Sequence, residues 1–309
     1  NKLFEYLKAR KLVKVYQVNN EKCDALFIDG TNIFCMFSKH SPNGESSYIE
    51  VKRLINRFIP RQYVYISMDG KSPEQKISNQ FQKNIHVQQI NNDENLKKIE
   101  KYNEQSYNIF GNEIGRDVFY NGRTNEGEGE QKIIQYIRKN SQSNQKYYII
   151  SNDNDLIFLL LQFINIDISI IKVFIDEKTK NIKYYIINIV QVREYFLNKI
   201  HQNMNPNITN VDIEKLIRDI IGISFFLGND YVKCFDEIEK CYNVFDIILD
   251  AYGEINSKSK YSYRFLTNGN SFINENLQLF ILHLSSKLKI KYEQRCKQRQ
   301  MHKQSKQKS

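Results

Sequence analysis

The sequence predicts an α/β fold with a mainly parallel central sheet flanked by helices. Three observations carry this expectation. Short apolar runs alternate with segments of helical spacing, the pattern of strands joined by crossover helices. Several of those runs end in an acidic residue. The chain has 309 residues, enough for one large domain or two modest ones with a sizeable core.

Taken in order, "ALFIDG" (25–30) reads as a buried strand with a carboxylate at its C-terminal end. "YIEVKRLINRFI" (48–59) has helical spacing, and "YVYISMDG" (63–70) repeats the first pattern. Residues 71–112 are polar and rich in Gln, Asn and Lys, and read as a partly helical excursion from the core. "DVFY" (117–120) is a further strand, followed by a glutamate-rich stretch and the helical "QKIIQYIRK". "KYYIISNDND" (146–155) is a strand ending in acids. "ISIIKVFID" and "IKYYIIN" read as paired strands, and "VQVREYFLNKI" and "VDIEKLIRDIIGISFF" as helices, the second closed by "LGND" (227–230). The chain contains no internal repeat.

Net charge is +10, and residues 287–309 hold nine Lys/Arg against one Glu, so +8 of it lies in that stretch. A basic tail suits a polyanionic partner, and it suits solvent equally well. The five cysteines (23, 35, 234, 241, 296) are scattered, odd in number and without C-x-x-C spacing. That argues against structural zinc and a disulfide framework and fits a reducing compartment. No apolar run reaches ~18 residues free of charge, and the charged start "NKLFEYLKAR" is no signal peptide. The expectation is an intracellular protein of the cytoplasm or nucleus, with the mitochondrion left open and no membrane partner. Scarce Ala, absent Trp and abundant Asn, Ile, Lys and Tyr read as coding bias.

The chemistry is carried by acids. Asp29, Asp69, Asp153 and Asp155 follow apolar strands, where active sites of parallel sheets gather. At i and i+2 in extended chain, Asp153 and Asp155 point the same way. Glu128 and Glu130 share that spacing; on a helix they would lie ~200° apart. Their convergence therefore requires extended or turn backbone before the helix begins, which Gly127 and Gly129 permit. Asp230 completes the set. One such Asp alone is usually a cap or turn residue, and "GEGE" alone suits a surface turn; the repetition in one chain favours a site. Seven carboxylates cannot cluster unpaired in an apolar interior. Two Mg²⁺ or Mn²⁺ ions would resolve the conflict, as in phosphodiester hydrolysis with ions ~3.5–4 Å apart.

These motifs resemble the Xrn-type 5′→3′ exoribonucleases, within the wider flap-endonuclease and PIN-like nucleases. The resemblance rests on "LFIDGTN", "MDGKSPEQKISNQ" (68–80), "GEGEQKI" (127–133), "DNDLIFL" (153–159) and "GND" (228–230). "LFEYLKAR", "INIVQVREYF" and "FLTNGNSFINENLQLFILHL" add to it, so the likeness runs in order from about residue 3 to 300. The resemblance implies that Asp29, Asp69, Glu128, Glu130, Asp153, Asp155 and Asp230 are metal-binding and catalytic. It also implies a 5′-phosphate pocket at Lys76 and Gln80, with Lys83 and Asn84 where the family has Arg. Positions 76, 80 and 83 form one helical stripe, a pattern that a solvated face also shows. Lys and Asn lack the bidentate fork of Arg, so weaker 5′-monophosphate recognition is expected. The family stacks the first base between a His and a Trp. Counted from Asp29, the His position falls on Cys35, so Phe34 or Phe37 would have to stack instead. Glu126 is expected in solvent.

The implied function is metal-dependent, stepwise 5′→3′ hydrolysis of RNA bearing a 5′-monophosphate. A PIN/FEN-like catalytic domain would occupy 1–286 and a basic helix or tail 287–309. The sequence stops where the family continues into a second conserved region, so the expectation is either that another segment or chain supplies it or that the site works open. The alternatives are a 5′ or flap DNA nuclease of the same superfamily, and an RNA-binding scaffold subunit that keeps the fold.

Overall fold

The computed structural model describes residues 2–16, 22–38, 45–58, 60–70, 93–176, 178–179, 181–208, 210–228, 243–257, 263–269 and 271–307. The chain packs as two compact units, Asn1–Val192 and Arg193–Ser309. The boundary expected near 286 falls inside the last helix, Asn274–Gln307. Among the described residues no helix is long and apolar enough to cross a membrane.

The first unit is built on a seven-stranded sheet. Its strands are β1 (Val13–Val15), β2 (Ala25–Asp29), β3 (Tyr63–Ser67), β4 (Asp117–Asn121), β5 (Lys146–Ile150), β6 (Asp167–Ile175) and β7 (Ile182–Asn188). The spatial order is β1-β7-β6-β5-β2-β3-β4. Strands β2 to β6 are parallel to one another, and β7 pairs antiparallel with β6 on one side and β1 on the other. The paired apolar runs of the sequence are thus β6 and β7. The edge strand β1 was not expected, because three partly exposed residues give too short a pattern to read.

β2 is buried at all five positions, since helices cover both faces of the sheet. On one face Leu26, Ile28, Val64 and Ile66 meet α2 (Gly30–Ser38), α3 (Glu45–Arg57) and α4 (Asp93–Ile114) through Ile33, Phe37, Leu54, Ile55, Tyr107 and Phe110. Each such side chain contributes roughly 1.5–3 kcal/mol when fully buried. The expected excursion thus includes a 22-residue helix, α4; residues 71–92 lie outside the described part. On the other face α5 (Gly129–Asn140) lays Tyr136 against Tyr65, with ring centroids 4.2 Å apart. Apolar Ile133, Ile134 and Ile137 hold that helix down.

The chain runs from β2 outward through β3 to β4, then returns to place β5 on the other side of β2. The strand order reverses there, which opens a crevice at the C-terminal ends of β2 and β5. Short α6 (Asp155–Leu160) follows β5, and α7 (Ile189–His201) follows β7.

The second unit contains α8 (Ile213–Ser224), α9 (Val244–Glu254), a small hairpin of β8 (Thr267–Asn268) and β9 (Ser271–Phe272), and α10 (Asn274–Gln307). Asp212 caps α8 by accepting from the Lys215 amide. Fully buried Asp219 ties the unit together. It accepts from the Leu266 and Thr267 amides at 2.6 and 2.8 Å, from Thr267 Oγ1 at 2.6 Å, and from the Tyr252 hydroxyl.

Candidate active site

The crevice collects carboxylates from three strand ends and one helix start. Asp29 closes β2 with 3% of its surface exposed. Its Oδ2 accepts from Ser151 Oγ at 2.8 Å, and the Asn32 amide donates weakly to Oδ1 at 3.5 Å. Asp69 stands two residues beyond β3. Its amide donates to Thr31 Oγ1 at 2.7 Å, and its Oδ1 accepts from the Gly129 amide at 2.6 Å. The first amides of a helix have no partner inside it, so Asp69 both satisfies one and meets the positive end of α5.

Two glycines make this approach possible. Gly127 adopts φ +97°, the left-handed region that an ordinary side chain avoids. A Cβ on Gly129 would lie 3.0 Å from Asp29 Oδ1 and 3.1 Å from Asp69 Oδ1. A side chain there would push the two carboxylates back by a few tenths of an ångström.

The glutamates are arranged differently from the expectation that both precede the helix. Helix α5 begins between them, at Gly129. Glu128 is its N-cap, extended at φ −76° and ψ 153° and 4% exposed, while Glu130 lies in the first turn. Only one residue has to leave the helical path for the two to escape the helical separation, and the cap does so. Burial holds the Glu130 carboxyl well above the usual range, reinforced by Asp153, Glu128 and Asp29. Burial pushes Asp29 up to about 7; the Ser151 hydrogen bond opposes this, and the Asp69 and Asp153 charges add to it. Glu126 is exposed.

The loop after β5 also departs from the expected extended chain. Asn154 is helical at φ −93° and ψ −28°, and Asp153 Oδ1 accepts from the Asp155 amide at 2.9 Å. Asp153 therefore caps the turn that starts α6, and Asp155 is exposed at its first position rather than parallel to Asp153. Ser151 Oγ accepts from the Asp153 amide at 3.1 Å. Asn152 pairs with β6 through its side chain, donating to Val173 O at 2.8 Å and accepting from Val173 N at 2.9 Å.

Two buried lysines flank the acids. Lys132 Nζ donates to the carbonyls of Met68, Gly122 and Asn125 at 2.7, 2.9 and 2.8 Å, tying the residue before Asp69 to the loop ahead of Glu128. Lys172 Nζ donates to the carbonyls of Asn152 and Asp153, each at 3.0 Å. Burial lowers the Lys172 ammonium to about 8 against the supporting charges of Asp153 and Asp29.

Asp29, Asp69, Glu128, Glu130 and Asp153 are thus brought into one electrostatic neighbourhood, and Asp155 stands beside it. The group is spread: among the described residues no three His, Cys, Asp or Glu side chains form a cation-holding set as they stand. Residues 112–173, which carry Glu128, Glu130, Asp153 and both lysines, match the family model described as XRN 5′-3′ exonuclease N-terminus.

Parts of this chain are similar to the Xrn 5′→3′ exonucleases. The 5′-3′ exoribonuclease 1 of Schizosaccharomyces pombe is 23% identical over 230 residues, covering 60% of this chain and 17% of that protein. The protein of the same name from Saccharomyces cerevisiae is 19% identical over 248 residues, covering 66% and 16%. The chain therefore spans about a sixth of the length of these Xrn relatives. Solved structures with a distant likeness include the catalytic core of Rad2 in complex with DNA substrate (12% identity, 76% of this chain and 64% of that one, TM-score 0.43). A bacteriophage flap endonuclease solved with DNA and metal ions is another (13% identity, 84% and 87%, TM-score 0.38).

Of the remaining expected Xrn-type positions, Lys76, Gln80, Lys83, Asn84 and Asp230 lie outside the described residues. Phe34 belongs to α2, with its side chain outside the described part, and Phe37 is 5% exposed within the core. Sequence reasoning missed Ser151, Asn152, Lys132 and Lys172. Lys172 alone left a signal, a single charge inside the apolar run "SIIKVFI".

Proposed function

We propose that this chain is the N-terminal catalytic part of a divalent-cation-dependent 5′→3′ exoribonuclease, acting inside the cell on RNA with a 5′-monophosphate end. The catalytic portion would be 1–286 and the basic extension 287–309. The observation that carries the reading is the grouping of Asp29, Asp69, Glu128, Glu130 and Asp153 at the strand-order reversal. The donor set fits Mg²⁺ or Mn²⁺: it is all hard oxygen, without His or Cys, and burial and mutual repulsion hold Asp29 and Glu130 above the ordinary carboxylate range. Asp155 and Asp230 would complete a seven-acid site for two ions.

Bound cations would supply activation of water and stabilisation of the leaving oxygen. The chain's own residues prepare for them. Ser151 and the Gly129 amide orient Asp29 and Asp69. With no cation present, Asp29 at about 7 is partly protonated at neutral pH. Lys76, Gln80, Lys83 and Asn84 would grip the 5′ phosphate, with Phe34 against the first base, so that the first phosphodiester reaches the acids and each step removes one nucleotide.

The test uses end-labelled RNAs carrying a 5′-monophosphate, a 5′-hydroxyl or a cap, and a matched DNA, in Mg²⁺. The expected result is stepwise decay of the monophosphate RNA first, abolished in Asp153→Ala/Asp155→Ala. Preference for flapped DNA would favour the DNA-nuclease alternative. RNA binding without decay, or decay unchanged in the double variant, would overturn the enzyme reading.

A further inference from the structure

Lys172 is in the middle of β6 and has no exposed surface. Its chain neighbours Ile170, Ile171 and Val173 are buried and apolar. Taking an ammonium out of water is costly unless it is paired and hydrogen-bonded, and Met or Leu would fill the same strand position at far lower cost. Lysine brings a charge and directed donors, and both have targets. Two of its three donors reach the carbonyls of Asn152 and Asp153 at 3.0 Å. Successive carbonyls face one group only where the chain bends, and one ammonium holding both fixes the peptide planes on each side of Asp153. The charges that favour the ammonium belong to Asp153 and Asp29.

We propose that Lys172 is a positioning residue: a built-in ammonium that pins the Asn152–Asp153 turn and offsets the repulsion among the site's acids, so that Asp153 faces Asp29 and Glu130 before any cation arrives. The catalytic consequence rests on the reading of this crevice as a cation site; the pinning of the turn does not.

The experiment compares the full chain with Lys172→Met, Lys172→Arg, Asp153→Asn and the Lys172→Met/Asp153→Asn pair. Melting temperature is read in chelator and in Mg²⁺, and kcat and KM on 5′-monophosphate RNA. Lys172→Met should lose several degrees in chelator, and Mg²⁺ should restore more to it than it adds to the wild type. Asp153→Asn should recover part of that loss in chelator, because the charge left without its counterpart is gone. Lys172→Arg, which keeps the charge and the donors, should stay closer to wild type and lower kcat with little change in KM. An equal loss in both solutions, no recovery by Asp153→Asn, or an arginine variant no better than methionine would reduce Lys172 to a packing residue and overturn the proposal. If Lys172→Met does not fold, the arginine variant and its kcat decide. If the wild type neither responds to Mg²⁺ nor degrades RNA, the cation-site reading fails, while the recovery by Asp153→Asn in chelator still decides the role of Lys172.

Discussion

Asp29 of the first unit and Asp219 of the second are carboxylates buried to nearly the same degree, at 3% and 0% exposure. Their surroundings are opposite. Asp219 receives four donors, from Leu266, from Thr267 twice and from Tyr252, and knits α8 and α9 to the β8 strand. Asp29 receives one good donor and one marginal one, and its other neighbours include the acids Asp69 and Asp153. Burial raises both carboxyls. A buried acid whose lone pairs are filled by its own chain serves the fold. One left short of donors among like charges is held for something the chain does not supply.

The sharpest way to break this contrast is to neutralise each acid. Asp29→Asn should cost at least about a hundredfold in activity, while its melting temperature in chelator stays level or rises as repulsion is relieved. Asp219→Ala should cost about 3 kcal/mol or more, because it strands several buried donors, and leave the Mg²⁺ response of the melting temperature intact. Thermal melts with a parallel RNA-decay assay read both; a stability loss at Asp29 equal to that at Asp219 would erase the distinction.

A smaller effect is expected at Gly129. Alanine there improves helix propensity by up to about 1 kcal/mol, but its Cβ would crowd Asp29 and Asp69 at 3.0 and 3.1 Å. Overpacking typically costs about 1–3 kcal/mol, so the clash wins. Gly129→Ala should lose activity with a modest loss of stability, and a fully active, more stable variant would refute the close approach.

The smallest effect belongs to a half-buried acid of the second unit. Glu254 pairs with His283 at 2.7 Å and with Lys287. Burial pushes its carboxyl up, but Lys287 and His283 outweigh this and hold it below the usual range. A lowered folded value means the stabilisation is present above the unfolded pKa and fades as pH falls through the folded one. Glu254→Gln should cost under about 1 kcal/mol at neutral pH and converge with wild type in acid, as urea titrations at several pH values would register.

Much of this architecture is legible in the residues. Apolar runs such as "ALFI" and "YYII" are long enough for buried strands and too short for helices, and the acids at their ends locate the crevice. The departures have physical causes. Sequence spacing treats Glu128 and Glu130 as equivalent, whereas capping assigns one to extended backbone and the other to the helix. The same limit hid the turn at Asn154, which separates Asp153 from Asp155. Lys132 and Lys172 escaped because lysine is usually solvated, and the carbonyls that hold each one lie elsewhere in the sequence. The β8–β9 hairpin and α9 left patterns too short or too uniformly apolar to assign.

The side chain of Asn152 makes the ladder between β5 and β6 one rung longer than β5 itself, since its amide copies a peptide group opposite Val173. Substitution tolerance on the two sides of that rung should therefore be unequal. Position 173 is recognised there through its main chain, so a buried apolar residue of similar volume should serve, though not proline. Position 152 needs a donor and an acceptor on one short arm, a demand that even aspartate, its nearest relative in shape, cannot meet when ionised.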